Sequence, residues 1–350
     1  MRRKMKKTVL YAKRNIMSAF VLLAMFLFIA GCGKVEKDRD MGGEASGDAI
    51  VVQEVPQATE EMNKENENAQ KEEQVNESTV VVSPEDLNEP EIEEQAVTEA
   101  VPEQADESRL QIVFLGDSIL DGYRNETGIA AITGELCNAD VYNLAMGGTT
   151  AALSKYESAV FETWSSRGLQ GVVNAICGNI DAGILDGFRA GEVFASCDFD
   201  KTDYFVIEYG MNDFLSAIPI NNDSNTNQEY TYVGALRNAI NRLRGSFPEA
   251  EIVLCSPNYA QFWGKDGAYL GDGNMVDNGG GTLAAYYRVC GNVSADENTL
   301  FLNAYEGIGL DTYTADEYLE DGIHLSEKGR RKYAEKLSEI ILNYETTRNN

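Results

Sequence analysis

Histidine is almost missing from this 350-residue chain: there is one, His324. A site built from several imidazoles is therefore excluded, and imidazole general-base chemistry near neutral pH has to run through that single ring. Cysteine is scarce as well. Beyond Cys32 the five others, at 137, 177, 197, 255 and 290, are too dispersed for a compact zinc-ligand pattern. No metal and no cofactor is called for. Cysteines inside apolar runs, such as Cys255, read as small buried hydrophobes, so folding is expected not to depend on disulfides. Positive charge is the third shortage: 29 Lys and Arg stand against 57 Asp and Glu, a net charge of −28. A surface that acidic argues against nucleic acid or anionic polymers as partners and favours neutral or masked substrates.

Long apolar runs are also few. Ile16 to Ala30 is almost wholly apolar and short for a spanning helix; Arg2, Arg3, Lys4, Lys6, Lys7, Lys13 and Arg14 precede it with no acidic residue among them. This is the layout of an export signal. The run ends in Ile29-Ala30-Gly31-Cys32 and resembles a bacterial lipoprotein signal, which implies cleavage before a lipidated Cys32. An uncleaved anchor with an incidental cysteine is the alternative. Both place the rest of the chain outside the cytoplasmic membrane, and the first predicts a cell-membrane protein held by lipid on the extracytoplasmic face. Aromatic residues are absent from 33–108, where 23 acidic residues face 5 basic ones. Such a segment buries too little apolar surface to offset its ordering entropy, and it reads as a disordered acidic tether. As a flexible coil it would span roughly 50 Å.

Residues 109–350 suffice for one well-filled domain. Five apolar runs recur in it: Leu110 to Leu115, Val141 to Ala145, Tyr204 to Tyr209, Ile252 to Cys255 and Leu300 to Ala304. Apolarity at consecutive positions marks strands covered on both faces. Tyr230, Val233, Leu236, Ile240, Leu243 and Phe247 keep helical spacing before Pro248, and Ser326 is placed to cap a last helix with Tyr333, Leu337, Ile340, Ile341 and Tyr344 inward. Alternating strands and helices predict a three-layer α/β/α sandwich around a central five-stranded parallel sheet, with ligands beyond the carboxyl ends of the strands.

Candidate chemistry sits at those ends. Ser118 follows the first run within Gly116-Asp117-Ser118, Gly148 follows the second, and Asn212 the third within Gly210-Met211-Asn212-Asp213. Asp321, three residues before His324, is placed to hold one ring nitrogen and leave the other for a nucleophile. Singly, each of these pieces is also ordinary turn chemistry. Together, in this order from Gln111 to Lys328, they resemble the signature blocks of the SGNH, or GDSL-type, esterase and acylhydrolase family, with Ala145 where a glycine is more usual and Ile119 where the motif has leucine. The resemblance implies the flavodoxin-like SGNH hydrolase fold, with Ser118 as nucleophile, His324 as base and Asp321 as its orienter. It also implies an oxyanion hole from the backbone N–H groups of Ser118 and Gly148 and the side-chain amide of Asn212.

Two regions are candidates to select the substrate: the long segment with Trp164 between the second and third strands, and Pro257-Asn-Tyr-Ala-Gln-Phe-Trp263 with the Gly- and Asp-rich loop after it. Asp117, Tyr259 and Trp263 are possible substrate contacts. Tyr259, Phe262, Trp263 and Tyr269 could stack on a sugar ring or simply close the side of the core. The expected activity is an extracytoplasmic serine esterase removing small O-acyl groups, acetyl above all, from a carbohydrate or cell-wall polymer. The alternatives are a lipase or lysophospholipase, an acyltransferase with the same residues, and a tethered binding module without turnover. With an unperturbed imidazole, activity is expected to fall on acidification around pH 6.5. Oligomeric state is not legible in the sequence.

Overall fold

A computed structural model describes residues 109–348 apart from Ala159; the export signal, Cys32 and the acidic tether at 33–108 lie outside the described residues. In chain order the first elements are strand β1 (Leu110–Gly116), helices α1 (Ser118–Asp121) and α2 (Ile129–Cys137), and β2 (Ala139–Asn143). Helices α3 (Leu169–Ile176) and α4 (Arg189–Ser196) lead to β3 (Tyr204–Glu208), α5 (Met211–Leu215) and α6 (Tyr232–Ser246). Then come β4 (Glu251–Cys255), β5 (Gln261–Trp263), β6 (Tyr269–Asp272), α7 (Leu283–Glu297), β7 (Leu300–Leu302), α8 (Ala315–Tyr318) and α9 (Glu327–Arg348).

Five strands form one sheet in the order β2-β1-β3-β4-β7, every neighbouring pair parallel. The central strands are apolar at consecutive positions because both faces are covered: Ile112 to Leu115, Tyr204 to Ile207 and Val253 to Leu254 are all 0% exposed. Helix α2 packs with α9, and α6 sits between α3 and α7. The result is the three-layer α/β/α sandwich that the strand–helix alternation predicts. Side-chain caps start the long helices: Thr231 Oγ1 accepts from Gly234 N at 3.2 Å and Ser326 Oγ from Gly329 N at 3.3 Å. Helix α6 ends at Ser246, two residues before Pro248. All five cysteines of the described residues are unbridged, three of them buried, and no described helix is long and apolar enough to cross a membrane.

Two expectations need correction. The second strand runs from Ala139 to Asn143 rather than Val141 to Ala145. Leu144 and Ala145 are buried, which produces the apolar run, but the Asn143 side chain accepts from Ala145 N and donates to Leu120 O, bending the chain out of the strand. The segment after β4 is not all loop: β5 and β6 form an antiparallel hairpin. Its Phe262 packs inward on Phe214 with ring centroids 5.3 Å apart, while Trp263 faces out. The long crossover between β2 and β3 carries α3 and α4, and its Trp164 donates to Ser158 O at 2.9 Å.

Helix α9 offers a direct measure of what the core contributes. Leu337→Ala, at a fully buried site, is expected to cost about 2–5 kcal/mol, whereas Leu342→Ala, at a site 41% exposed, should cost under about 1 kcal/mol. Urea unfolding of both variants checks this; similar midpoints would contradict the packing described.

Candidate active site

The carboxyl end of β1 delivers Asp117 and Ser118, and the loop before α9 delivers Asp321 and His324. Ser118 Oγ lies 2.9 Å from His324 Nε2, and His324 Nδ1 lies 2.6 Å from Asp321 Oδ2. The second carboxylate oxygen of Asp321 accepts Ile323 N at 3.0 Å and His324 N at 2.8 Å. One side chain thus folds its own turn and aligns the ring. Gly322 at the turn has φ 89, and a Cβ there would lie 2.1 Å from the Trp263 ring. Gln261 N donates to Gly322 O at 2.8 Å and Asn258 Nδ2 to Ile323 O at 3.1 Å, so β5 and the segment leading into it support this loop. Arg330, 3% exposed, holds it from α9: it bonds Leu325 O and Glu320, and its guanidinium stacks 3.3 Å from the Tyr123 ring centroid.

Charge in this line is ordered. Burial pushes the Asp321 carboxyl up, but the His324 side chain and the backbone N–H groups of His324 and Ile323 outweigh it and bring Asp321 down to about 2. The hydrogen bond that His324 donates to Asp321 raises the His324 pKa above 6.5, against the opposing effect of burial. The neutral, proton-accepting ring is therefore the form present above a midpoint higher than the sequence alone suggests.

Three wholly buried carboxyl groups lie beneath. Asp117 Oδ1 caps α1 by accepting Ile119 N at 3.0 Å, and Oδ2 accepts the Asn212 amide at 3.2 Å; burial lifts Asp117 to about 6. Asp213, on α5, accepts Ala151 N and Ala152 N at 2.9 and 3.0 Å, pinning the chain that follows Gly148, and burial lifts it to about 7. Glu208 closes β3, and burial holds it well above the usual carboxylate range.

The three expected oxyanion donors differ. Among the described residues, neither Ser118 N nor Gly148 N has an acceptor, so both are available. Gly148 has open space around a would-be Cβ; its φ of 74, not close packing, is what requires glycine. The Asn212 amide is already engaged, by Asp117 Oδ2 and by Thr149 O at 3.0 Å. A clamp holds the Gly148 loop against α1: Asp121 Oδ2 accepts Gly147 N at 2.8 Å, Asp121 Oδ1 binds Arg124 Nε at 2.7 Å, and Arg124 donates to Asn143 O and Ala145 O.

Two of the possible substrate contacts are in the wrong place. Asp117 is 0% exposed and turned inward, and Tyr259 is 3% exposed with its hydroxyl on Asp272. Trp263 is 40% exposed, edge-on to Tyr269 with centroids 5.7 Å apart. Sequence reasoning missed Glu208, Asp121, Arg124 and Arg330. Only Glu208 left a signal, as a carboxylate inside an otherwise apolar strand. Among the described residues no group of three or more His, Cys, Asp or Glu side chains is arranged to hold a metal ion.

A lone histidine gives a single set of imidazole NMR signals. These are expected to titrate with a midpoint above 6.5, and lower in Asp321→Asn, which keeps the shape of the partner but removes its charge. Equal midpoints would show that Asp321 does not govern the ring.

The family model described as GDSL-like lipase/acylhydrolase matches residues 114–332. No curated protein matches the chain significantly. One solved structure superposes with a TM-score of 0.51 at 20% identity, over 67% of this chain and 97% of its own. A possible lipase from Chitinophaga pinensis is 18% identical with a TM-score of 0.47, over 67% and 99%. A carbohydrate acetylesterase from Sinorhizobium meliloti is 12% identical with a TM-score of 0.42, over 67% and 100%. Identities this low speak to the fold alone, but the family match takes in the end of β1, the other four strands of the sheet and most of the chain: this chain belongs to the GDSL-like lipase/acylhydrolase family.

Proposed function

We propose that the protein is a serine esterase that removes small O-acyl groups, acetyl above all, from carbohydrate or a cell-wall polymer. The observation that carries this reading is the continuous line Ser118 Oγ, His324 Nε2, His324 Nδ1, Asp321 Oδ2, with steps of 2.9 and 2.6 Å between side chains. Ser118 Oγ attacks the acyl carbon as His324 takes its proton, and Asp321 stabilises the imidazolium. Negative charge growing on the acyl oxygen is met by the N–H groups of Ser118 and Gly148, with Asn212 joining once one of its two bonds yields. Each such donor is worth about 3–4 kcal/mol in the transition state. The C–O bond to the alcohol then breaks, His324 returns the proton to the leaving oxygen, and water repeats the sequence to free Ser118 and the acid. An alcohol in place of that water makes the same residues an acyltransferase.

Substrate choice rests on the surroundings. Asp321 and His324 keep 48% and 24% of their side chains exposed, and Gly147 and Gly148 are exposed, so the site is shallow and open to a bulky alcohol portion. Trp263 borders the histidine loop at Gly322 and packs edge-on with Tyr269, and both stay partly exposed, an apolar surface suited to the C–H face of a sugar. The acidic surface disfavours anionic polymers. In this reading Cys32 is lipidated, and residues 33–108 hold the enzyme above the extracytoplasmic face of the cell membrane. Leu270 and Met275, also exposed near this hairpin, are the feature that favours a longer acyl chain and hence a lipase.

A fluorophosphonate probe should label the wild type and not Ser118→Ala, and the variant should lose at least about a thousandfold in hydrolysis of p-nitrophenyl acetate. A folded wild-type protein that neither labels nor turns over would instead be a binding module. Across p-nitrophenyl esters, acetate is expected to outpace long chains. Trp263→Ala should raise KM for acetylated sugars severalfold and leave p-nitrophenyl acetate nearly unaffected; equal effects on both would remove the sugar from the proposal.

A further inference from the structure

Glu208 is 0% exposed, and neither of its carboxylate oxygens has a hydrogen-bond partner among the described residues. Its place is not incidental. Glu208 pairs in register with Gly116 and Cys255, and its Oε2 would lie 3.2 Å from a Cβ built on Gly116, just before Asp117 and Ser118. The side chain faces the Asp117 carboxylate. From the other elements around it come Tyr209 and Asp213 beyond β3, Cys255 on β4, Tyr232 on α6, Cys290 on α7 and Tyr333 on α9. Burial keeps those hydroxyls and thiols neutral, so the named groups facing Glu208 include no cation.

Two carboxyl groups meet here with unequal support. Asp117 has two donors, Ile119 N and the Asn212 amide, and lies near enough to His324 for its charge to be felt. Glu208 has none. A negative charge is therefore better placed on Asp117, and a proton on Glu208 supplies the donor that the pair otherwise lacks.

We infer that Glu208 is a positioning residue that stays protonated and donates its O–H to the Asp117 carboxylate, keeping Asp117 ionised where it holds Asn212 and the amino end of α1. The proton remains on Glu208 throughout, and Glu208 acts on the reaction only through Asp117. Neutral Asp117 would lose part of its grip on the oxyanion amide, and ionised Glu208 would set two negative charges side by side in a buried layer. For its kinetic consequences this inference rests on Ser118 being the nucleophile.

Infrared difference spectroscopy at neutral pH, wild type minus Glu208→Gln, tests the shared proton without any turnover. A carbonyl band of a protonated carboxylic acid is expected in the wild type and missing from the variant; no such difference overturns the inference and leaves the Ser118 reading untouched. Failure of Ser118 to label does the reverse. In kinetics, Glu208→Gln can still donate an N–H to Asp117 and should retain kcat within about threefold. Glu208→Leu should lose about tenfold in kcat with KM within about twofold, and its acid limb should move to higher pH as Asp117, without its donor, binds protons more readily. Equal losses in the two variants with unmoved acid limbs would reduce Glu208 to packing. If Glu208→Leu does not fold, the infrared band and the Glu208→Gln profile decide alone.

Discussion

The parallel direction of five strands is the constraint on which everything else depends. Because β2, β1, β3, β4 and β7 all run the same way, their carboxyl ends share one edge. Residues 206 positions apart therefore meet at 2.9 Å. Magnitudes show which way the dependence runs. A partly exposed pair such as His324 and Asp321 contributes roughly 0–1 kcal/mol to stability, less than a single buried leucine. The sheet and its two helical layers impose the line of proton acceptors, and the line does little to hold the sheet.

Beneath that line lies a layer of three carboxyl groups, each handled differently. Asp321, at the surface, is ionised at every physiological pH because three N–H groups point at it. Asp213 is buried with two backbone donors, Asp117 with one backbone and one amide donor, and Glu208 with neither. All three of these are fully buried, so what separates them is the donors each one has and not depth. Of the three, Asp117 is the one whose charge reaches the histidine.

The central strands β1, β3 and β4 and the final helix were legible in the sequence because full burial writes apolar residues at consecutive positions, as in Val253-Leu254, whereas the edge strand β2, only partly buried, was placed two residues late. The β5–β6 hairpin was not: Gln261 and Asp272 at its ends are polar, and only Phe262 of β5 is an apolar side chain turned inward. Ser118, Asp321 and His324 could be singled out because a lone imidazole restricts the choice of base. Tyr259 and Asp117 show the limit of that method. Each has the right chemistry beside the right motif, yet which way a side chain turns is settled by partners, Asp272 for one and Asn212 with Ile119 for the other. Arg330 left no trace, since its partners Thr127 O, Glu320 and Leu325 O come together only in the folded chain.

The contact between Gly322 and Trp263 separates two things that enzymes often entangle. Shrinking the indole would still leave position 322 closed to a side chain, because Gln261 O would sit 2.6 Å from its Cβ and the backbone would keep a φ of 89. The demand for glycine at 322 is therefore set by the backbone and outlasts any exchange of the ring at 263.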